Sequence, residues 1–165
     1  MSIEVLRAIK RSDFEKLDSF IVQGADIQLV SEKERWNYLH KALLCGGKVP
    51  DLRMINRLIQ LGVDPSSRDC FGNTPLHYAL QYKSSELVRL LIEAGANVNC
   101  INHEGIGPLR EALLTRPVDV ESVELLLRAG ADSAQKVEGG ISVQEYAMAI
   151  AHDCPMLLRL FQNNE

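Results

Sequence analysis

Apolar residues recur along this chain in a layout that repeats itself. Leu17, Phe20 and Ile21 precede Gly24; Ile55, Leu58 and Ile59 precede Gly62; Val88, Leu91 and Ile92 precede Gly95; and Val123, Leu126 and Leu127 precede Gly130, always at the same three distances from the glycine. That spacing gathers the three side chains into one stripe of an α-helix. A glycine just beyond the stripe suits the left-handed residue that closes a helix. After each glycine comes Ala25, Val63, Ala96 or Ala131, then Asp26, Asp64, Asn97 or Asp132. Upstream lies a shorter helical pattern: Val5 with Ala8, Leu39 with Ala42, Leu76 with Ala79, and Leu109 with Ala112, each three residues apart. The chain therefore predicts helical pairs. The glycines lie 38, 33 and 35 residues apart, and a pair this short buries its stripes only against its neighbours.

The clearest unit runs from Asp69 to Asn99. It contains Gly72-Asn-Thr74-Pro75-Leu76-His77-Tyr-Ala79, a polar link, Glu86-Leu-Val-Arg-Leu-Leu-Ile-Glu-Ala94, and the ending Gly95-Ala-Asn97-Val-Asn99. Thr74 is placed to cap a helix, and Pro75 suits its first turn, where the missing N–H would have had no partner. The Thr-Pro-Leu-His run followed by a leucine-rich helix and Gly-Ala-Asn resembles the ankyrin repeat. The resemblance implies an all-α solenoid of about five helix-turn-helix repeats, two of them atypical caps. It implies a single domain over 1–165, with repeats near 1–31, 32–68, 69–101, 102–136 and 137–165. The first pair, residues 3 to 23, lacks Thr-Pro-Leu-His. The last keeps Gly140, Ser142 and Ala147, and its second helix runs from Asp153-Cys-Pro155 to the chain end.

Two repeats depart from the pattern. In the second, Arg35 stands where Gly72 stands in the third, and Asn37-Tyr38 replaces Thr-Pro before Leu39-His40; in the fourth, Gly107-Pro108-Leu109-Arg110 lacks both Thr and His. Weaker capping is expected there, so these first helices should fray more readily. The same two repeats are lengthened between their helices, at Cys45–Asp51 and Thr115–Asp119, where loop insertions cost little.

Composition narrows the chemistry. Aromatic residues are 5% of the chain against 46% hydrophobic overall, which fits a core of Leu, Ile, Val and Ala meeting at short range. Lys plus Arg number 18 and Asp plus Glu 22, a net charge of −4 without a basic block. Neither nucleic acid nor an anionic membrane is the expected partner. No apolar run reaches the roughly 18 residues of a spanning helix, and Met1-Ser-Ile-Glu-Val does not open a leader peptide. Cys45, Cys70, Cys100 and Cys154 are scattered, without Cys-x-x-Cys pairing. Reduced thiols in a cytoplasmic protein are expected, with no metal and no cofactor. No nucleophile elbow, phosphate loop or His-Glu-x-x-His occurs, and the resemblance gives His40 and His77 a structural role bridging neighbouring turns. The chain reads as a non-enzyme.

In the ankyrin family the finger turns and the solvent side of the first helices form one concave binding face. Transferring those positions predicts Lys33, Glu34, Trp36, Leu44 and Cys45 from the second repeat, and Arg68, Cys70, Phe71, Asn73, Gln81 and Tyr82 from the third. The fourth contributes His103, Glu104, Ile106, Leu114 and Thr115, and the fifth Lys136, Glu138 and Ile141. Rings on such a face are candidate hot spots, although Trp36 could instead cover a repeat that lacks its glycine. Mixed-sign rim charges would orient a partner. The implied function is protein binding by a chain that is monomeric when free. A small array of this kind resembles bacterial immunity proteins that block a cognate toxin; the alternative is an adaptor recruiting a signalling protein in a eukaryotic cell. There the family is also hydroxylated on asparagine, a pattern that Leu91 and Val98-Asn99 match in part, Asn97 standing where an acidic residue is usual. The register makes a direct prediction. Leu91→Ala should lower stability by roughly 2–5 kcal/mol and Phe71→Ala by under about 1 kcal/mol. Urea midpoints in the reverse order would mean that the register is wrong.

Overall fold

The computed structural model describes residues 1–44, 49–136, 140–152 and 154–162. Among these described residues ten helices come in five pairs: α1 (Ile3–Lys10) with α2 (Phe14–Val22), α3 (Tyr38–Leu43) with α4 (Leu52–Gln60), α5 (Pro75–Leu80) with α6 (Ser85–Glu93), α7 (Pro108–Leu114) with α8 (Val120–Arg128), and α9 (Val143–Ile150) with α10 (Pro155–Gln162). Odd-numbered helices stack on one another from α1 to α9, and α4, α6, α8 and α10 form a second layer beside them. Among the described residues the extended structure is a single antiparallel bridge, Lys136 to Ser142, at the last finger.

The periodic positions are the core. Leu17, Ile55, Val88 and Val123 are completely buried, as are Leu58, Leu91 and Leu126. Ile21, Ile59, Ile92 and Leu127 lie half-buried at the edge of the same stripes. On the first helices Val5, Leu39, Leu76 and Leu109 are buried, each with its alanine three residues on, and those alanines let the backbones of successive repeats approach.

Each second helix ends the same way. Gly24, Gly62, Gly95 and Gly130 have φ between 83° and 89°. The N–H of the next residue, Ala25, Val63, Ala96 or Ala131, reaches back to the carbonyl of Phe20, Leu58, Leu91 or Leu126 at 2.9–3.1 Å. This pairing satisfies carbonyls that a helix end would otherwise leave bare. Asp13, Asp51, Ser84 and Asp119 cap the opposite ends of these helices with side-chain oxygens.

The expected weakness of the second repeat is corrected. Asn37 does what threonine does elsewhere: its Oδ1 accepts the His40 N–H at 3.1 Å, and its Nδ2 donates to the Asp64 carbonyl at 2.7 Å. Arg35 keeps the left-handed turn of its glycine counterpart, at φ 58°. α7 begins at Gly107 without a side-chain cap, as α1 does at Ser2.

His40 and His77 link the repeats. The N–H groups of Asn37 and Thr74 donate to Nδ1 of His40 and His77, both at 3.2 Å. With Nδ1 accepting, the proton sits on Nε2, which donates to the carbonyl of Asn73 (3.2 Å) and of Ile106 (3.1 Å) in the next finger. Burial holds both imidazoles below their ordinary basicity, so they are neutral at pH 7. In the unfolded chain each binds a proton near pH 6.5 that the folded state refuses, so stability is full above that value and falls as the pH drops below it. The slope should approach about 1.4 kcal/mol per pH unit for each histidine. Urea midpoints measured down to about pH 5 should show this fall, and it should flatten when both histidines are replaced by glutamine; a slope that survives the double substitution would overturn the assignment.

Candidate protein-interaction face

The fingers are rigid because each is tied to itself and to its neighbours. In the third repeat Asp69 Oδ1 accepts the backbone N–H groups of Phe71 and Asn73, both at 2.9 Å. Asn102 does the same for Glu104 and Ile106 in the fourth, at 3.0 and 2.9 Å. Backbone bonds then join finger to finger: the Cys70 N–H donates to the Glu34 carbonyl at 2.8 Å, and the His103 N–H to the Phe71 carbonyl at 2.9 Å. A Cβ on Gly72 would meet His103 Cδ2 at 2.9 Å and the Asn102 backbone at 3.1 Å, where φ is already 80°. The finger at this point has room for glycine alone.

Asp69 is also a hub that motif reasoning did not single out. Its Oδ2 accepts the Tyr78 hydroxyl at 2.6 Å and the Trp36 indole N–H at 3.1 Å, while the residue is only 4% exposed. Burial alone would push this carboxyl up, but the bonds from Tyr78, Phe71, Asn73 and Trp36 together hold it below the usual carboxylate range. Burial and the adjacent carboxylate push Tyr78 up to about 12. Around the hub, Lys41 Nζ lies 3.9 Å over the Trp36 ring, and the His40 and Tyr78 rings meet edge-to-face at 5.8 Å. The sequence signal was available: a carboxylate four residues before the Asn-Thr-Pro turn is positioned to accept that finger's N–H groups.

The expected face residues divide by what they already do. Trp36 is half-buried and committed to Asp69 and Lys41. Tyr82 is half-buried and donates its hydroxyl to the Leu43 carbonyl. Asn73 and Ile106 give their carbonyls to the histidines, and Cys70 and Glu34 share the backbone bond between fingers. Arg68 donates to the Ile101 carbonyl at 2.6 Å. Lys33, Gln81, His103 and Glu104 are exposed, and Phe71 and Ile141 are 58% and 42% exposed. Glu138 and Cys45 lie outside the described residues. A half-buried carboxylate joins this face unannounced: Glu111 of α7 accepts from Gln81 Nε2 at 3.3 Å, and burial raises its pKa.

Among the described residues no group of three or more His, Cys, Asp and Glu side chains is placed to hold a metal, and no helix is long and apolar enough to cross a membrane.

The family model described as ankyrin repeats (3 copies) matches residues 5–102 and 43–137. The chain belongs to the ankyrin-repeat family. A putative ankyrin repeat protein, FPV219, of Fowlpox virus (strain NVSL) is 30% identical over 89 residues, covering 54% of this chain and 20% of that protein. Protein fem-1 homolog A of Homo sapiens is 43% identical over 56 residues, 34% of this chain and 8% of that protein. The E3 ubiquitin-protein ligase KEG of Arabidopsis thaliana is 35% identical over 108 residues, 64% of this chain and 6% of that protein. The chain thus spans a fifth or less of the length of these relatives. Ankyrin repeats are protein-interaction modules, and the protein-binding expectation stands on that membership.

Trp36 is the chain's only tryptophan, so it reports on the hub directly. Asp69→Ala would strand the Tyr78 hydroxyl, the indole N–H and two backbone donors. It should cost about 2–4 kcal/mol, since each buried unsatisfied group costs about 1–3 kcal/mol before partial rescue by water. Tryptophan emission of the folded variant should shift to the red. An unchanged urea midpoint and spectrum would refute the hub.

Proposed function

We propose that this chain is a non-catalytic ankyrin module that docks a protein partner on its fingers and first helices, centred on Phe71. The single observation that carries this reading is a large ring held out on a finger that cannot relax. Phe71 is 58% exposed, yet its N–H is fixed by Asp69 and its carbonyl by the next finger. A side chain displayed on a pre-ordered backbone loses little entropy on binding, which is how an anchor gains affinity. Trp36 and Tyr82 are committed to the scaffold instead.

Two partner classes follow. A fem-1 homolog and a plant ubiquitin ligase among the relatives favour an adaptor that recruits another protein within a eukaryotic or viral assembly. The immunity reading, a bacterial cytoplasmic module blocking a toxin, rests on the sequence resemblance alone. Both use the same face, and a monomeric free chain serves either.

Affinity capture followed by mass spectrometry supplies the partner, and calorimetry with folded variants tests the face. Phe71→Ala should weaken the complex by about 2 kcal/mol, near thirtyfold, with an unchanged melt. Glu121→Ala on α8, whose carboxylate pairs with Arg89 at 3.1 Å, should leave affinity unaltered. Equal binding by Phe71→Ala and wild type would move the interface off the fingers.

A further inference from the structure

The charges of this molecule are not distributed evenly between its two layers. The ion pairs among the described residues are Lys16–Asp13, Arg53–Asp51, Arg57–Asp18, Arg89–Glu121 and Arg128–Glu124. Every one lies on a second helix or its cap. On the first-helix and finger side the cations are spent differently: Arg68 and Lys83 donate to the carbonyls of Ile101 and Arg116, and Lys41 sits on the Trp36 ring. Glu104 and Glu111 on this side are in none of those ion pairs. Glu111 accepts from the neutral amide of Gln81, and Glu104 stands exposed on the adjoining finger, near enough for its charge to disfavour ionisation of Glu111. Arg110 tempers that field without an ion pair to either.

Apolar surface borders these carboxylates. Phe71 is one finger away, its carbonyl bonded to the His103 N–H. Leu114, 42% exposed, follows Glu111 by one turn of α7. We propose that the surface formed by Phe71, Gln81, Glu104, Glu111 and Leu114 receives a protein segment that presents an arginine beside an apolar side chain. This rests on the docking reading above and adds the chemistry of the occupant. A guanidinium is the fitting cation because its planar donors can serve a carboxylate and a neighbouring amide oxygen together, which a single ammonium does less well. The segment's apolar side chain would lie against Phe71 or Leu114. A partly desolvated carboxylate without a counter-charge gains more from such a pairing than a fully hydrated one does.

The test uses the full chain as bait for a random-peptide phage library, with Phe71→Ala and the double variant Glu104→Gln/Glu111→Gln as parallel baits. Glutamine keeps the shape and the hydrogen bond to Gln81, so the double variant should melt with wild type. Wild type should enrich peptides with arginine next to Leu, Ile, Val or an aromatic residue. Their affinity should fall at least about tenfold on the double variant, the scale of one charge-assisted hydrogen bond, and should weaken as salt is added. Phe71→Ala should weaken the same peptides. Peptides lost with Phe71→Ala but kept by the double variant would overturn the arginine assignment while leaving the docking face in place. Peptides kept by both variants would overturn both readings, and enrichment of acidic or neutral peptides, or none, would overturn the inference.

Discussion

The two central interfaces of the stack each depend on one buried N–H. His40 and His77 each offer Nε2–H to the carbonyl that closes the next finger, at Asn73 and Ile106, and each can do so only because the cap residue's own N–H occupies Nδ1. A single imidazole thus satisfies the start of its own helix and fixes the position of the neighbouring turn. The arrangement requires a neutral ring, and burial supplies that condition. Apolar burial between repeats provides most of the stabilisation, but it is non-directional. The histidine bonds give it a register.

Much of this was legible in the chain. The columns ending at Gly24, Gly62, Gly95 and Gly130 named the buried stripes and the helix ends, because a solenoid reads its contacts from neighbours about one repeat away. The second repeat was misjudged for a physical reason. Motif matching treats Asn37 as a lost threonine and Arg35 as a lost glycine. Asparagine is as good a cap as threonine, and Arg35 adopts the left-handed turn at φ 58° all the same. The chemistry of the position was retained when its letter changed.

The face was harder to read, since a residue's exposure depends on partners that sequence does not display. Trp36 and Phe71 are both large rings on fingers, yet Asp69 takes the indole N–H and leaves the phenyl ring free. Tryptophan and tyrosine carry a polar handle that a buried carboxylate can capture, and phenylalanine carries none. That difference alone separates a ring committed to the scaffold from one available to a partner. Glu111 illustrates the converse. Its position on α7 corresponds to Tyr78 on α5, so a ring-bearing site in one repeat becomes a carboxylate in the next, and only the folded neighbourhood reveals that its hydrogen bond comes from the neutral amide of Gln81.

Rigidity and unsatisfied charge meet on the same side of the molecule, and the cause is the way repeats stack. Second helices face one another with long side chains whose charges can pair across repeats, as Arg57 does with Asp18 and Arg89 with Glu121. Those pairs are made before any partner arrives. First helices are short and set by alanines, and their fingers are fixed through backbone and buried polar bonds rather than through surface ions. The scaffold therefore leaves Phe71 and Glu104 exposed, and Glu111 held by Gln81 rather than by an ion pair. A partner that engages them does not have to break an existing ion pair or order a loop, the two costs that most reduce the return from buried area. The exposed tips of this side are thus held in place by bonds that a docking partner would not need to disturb.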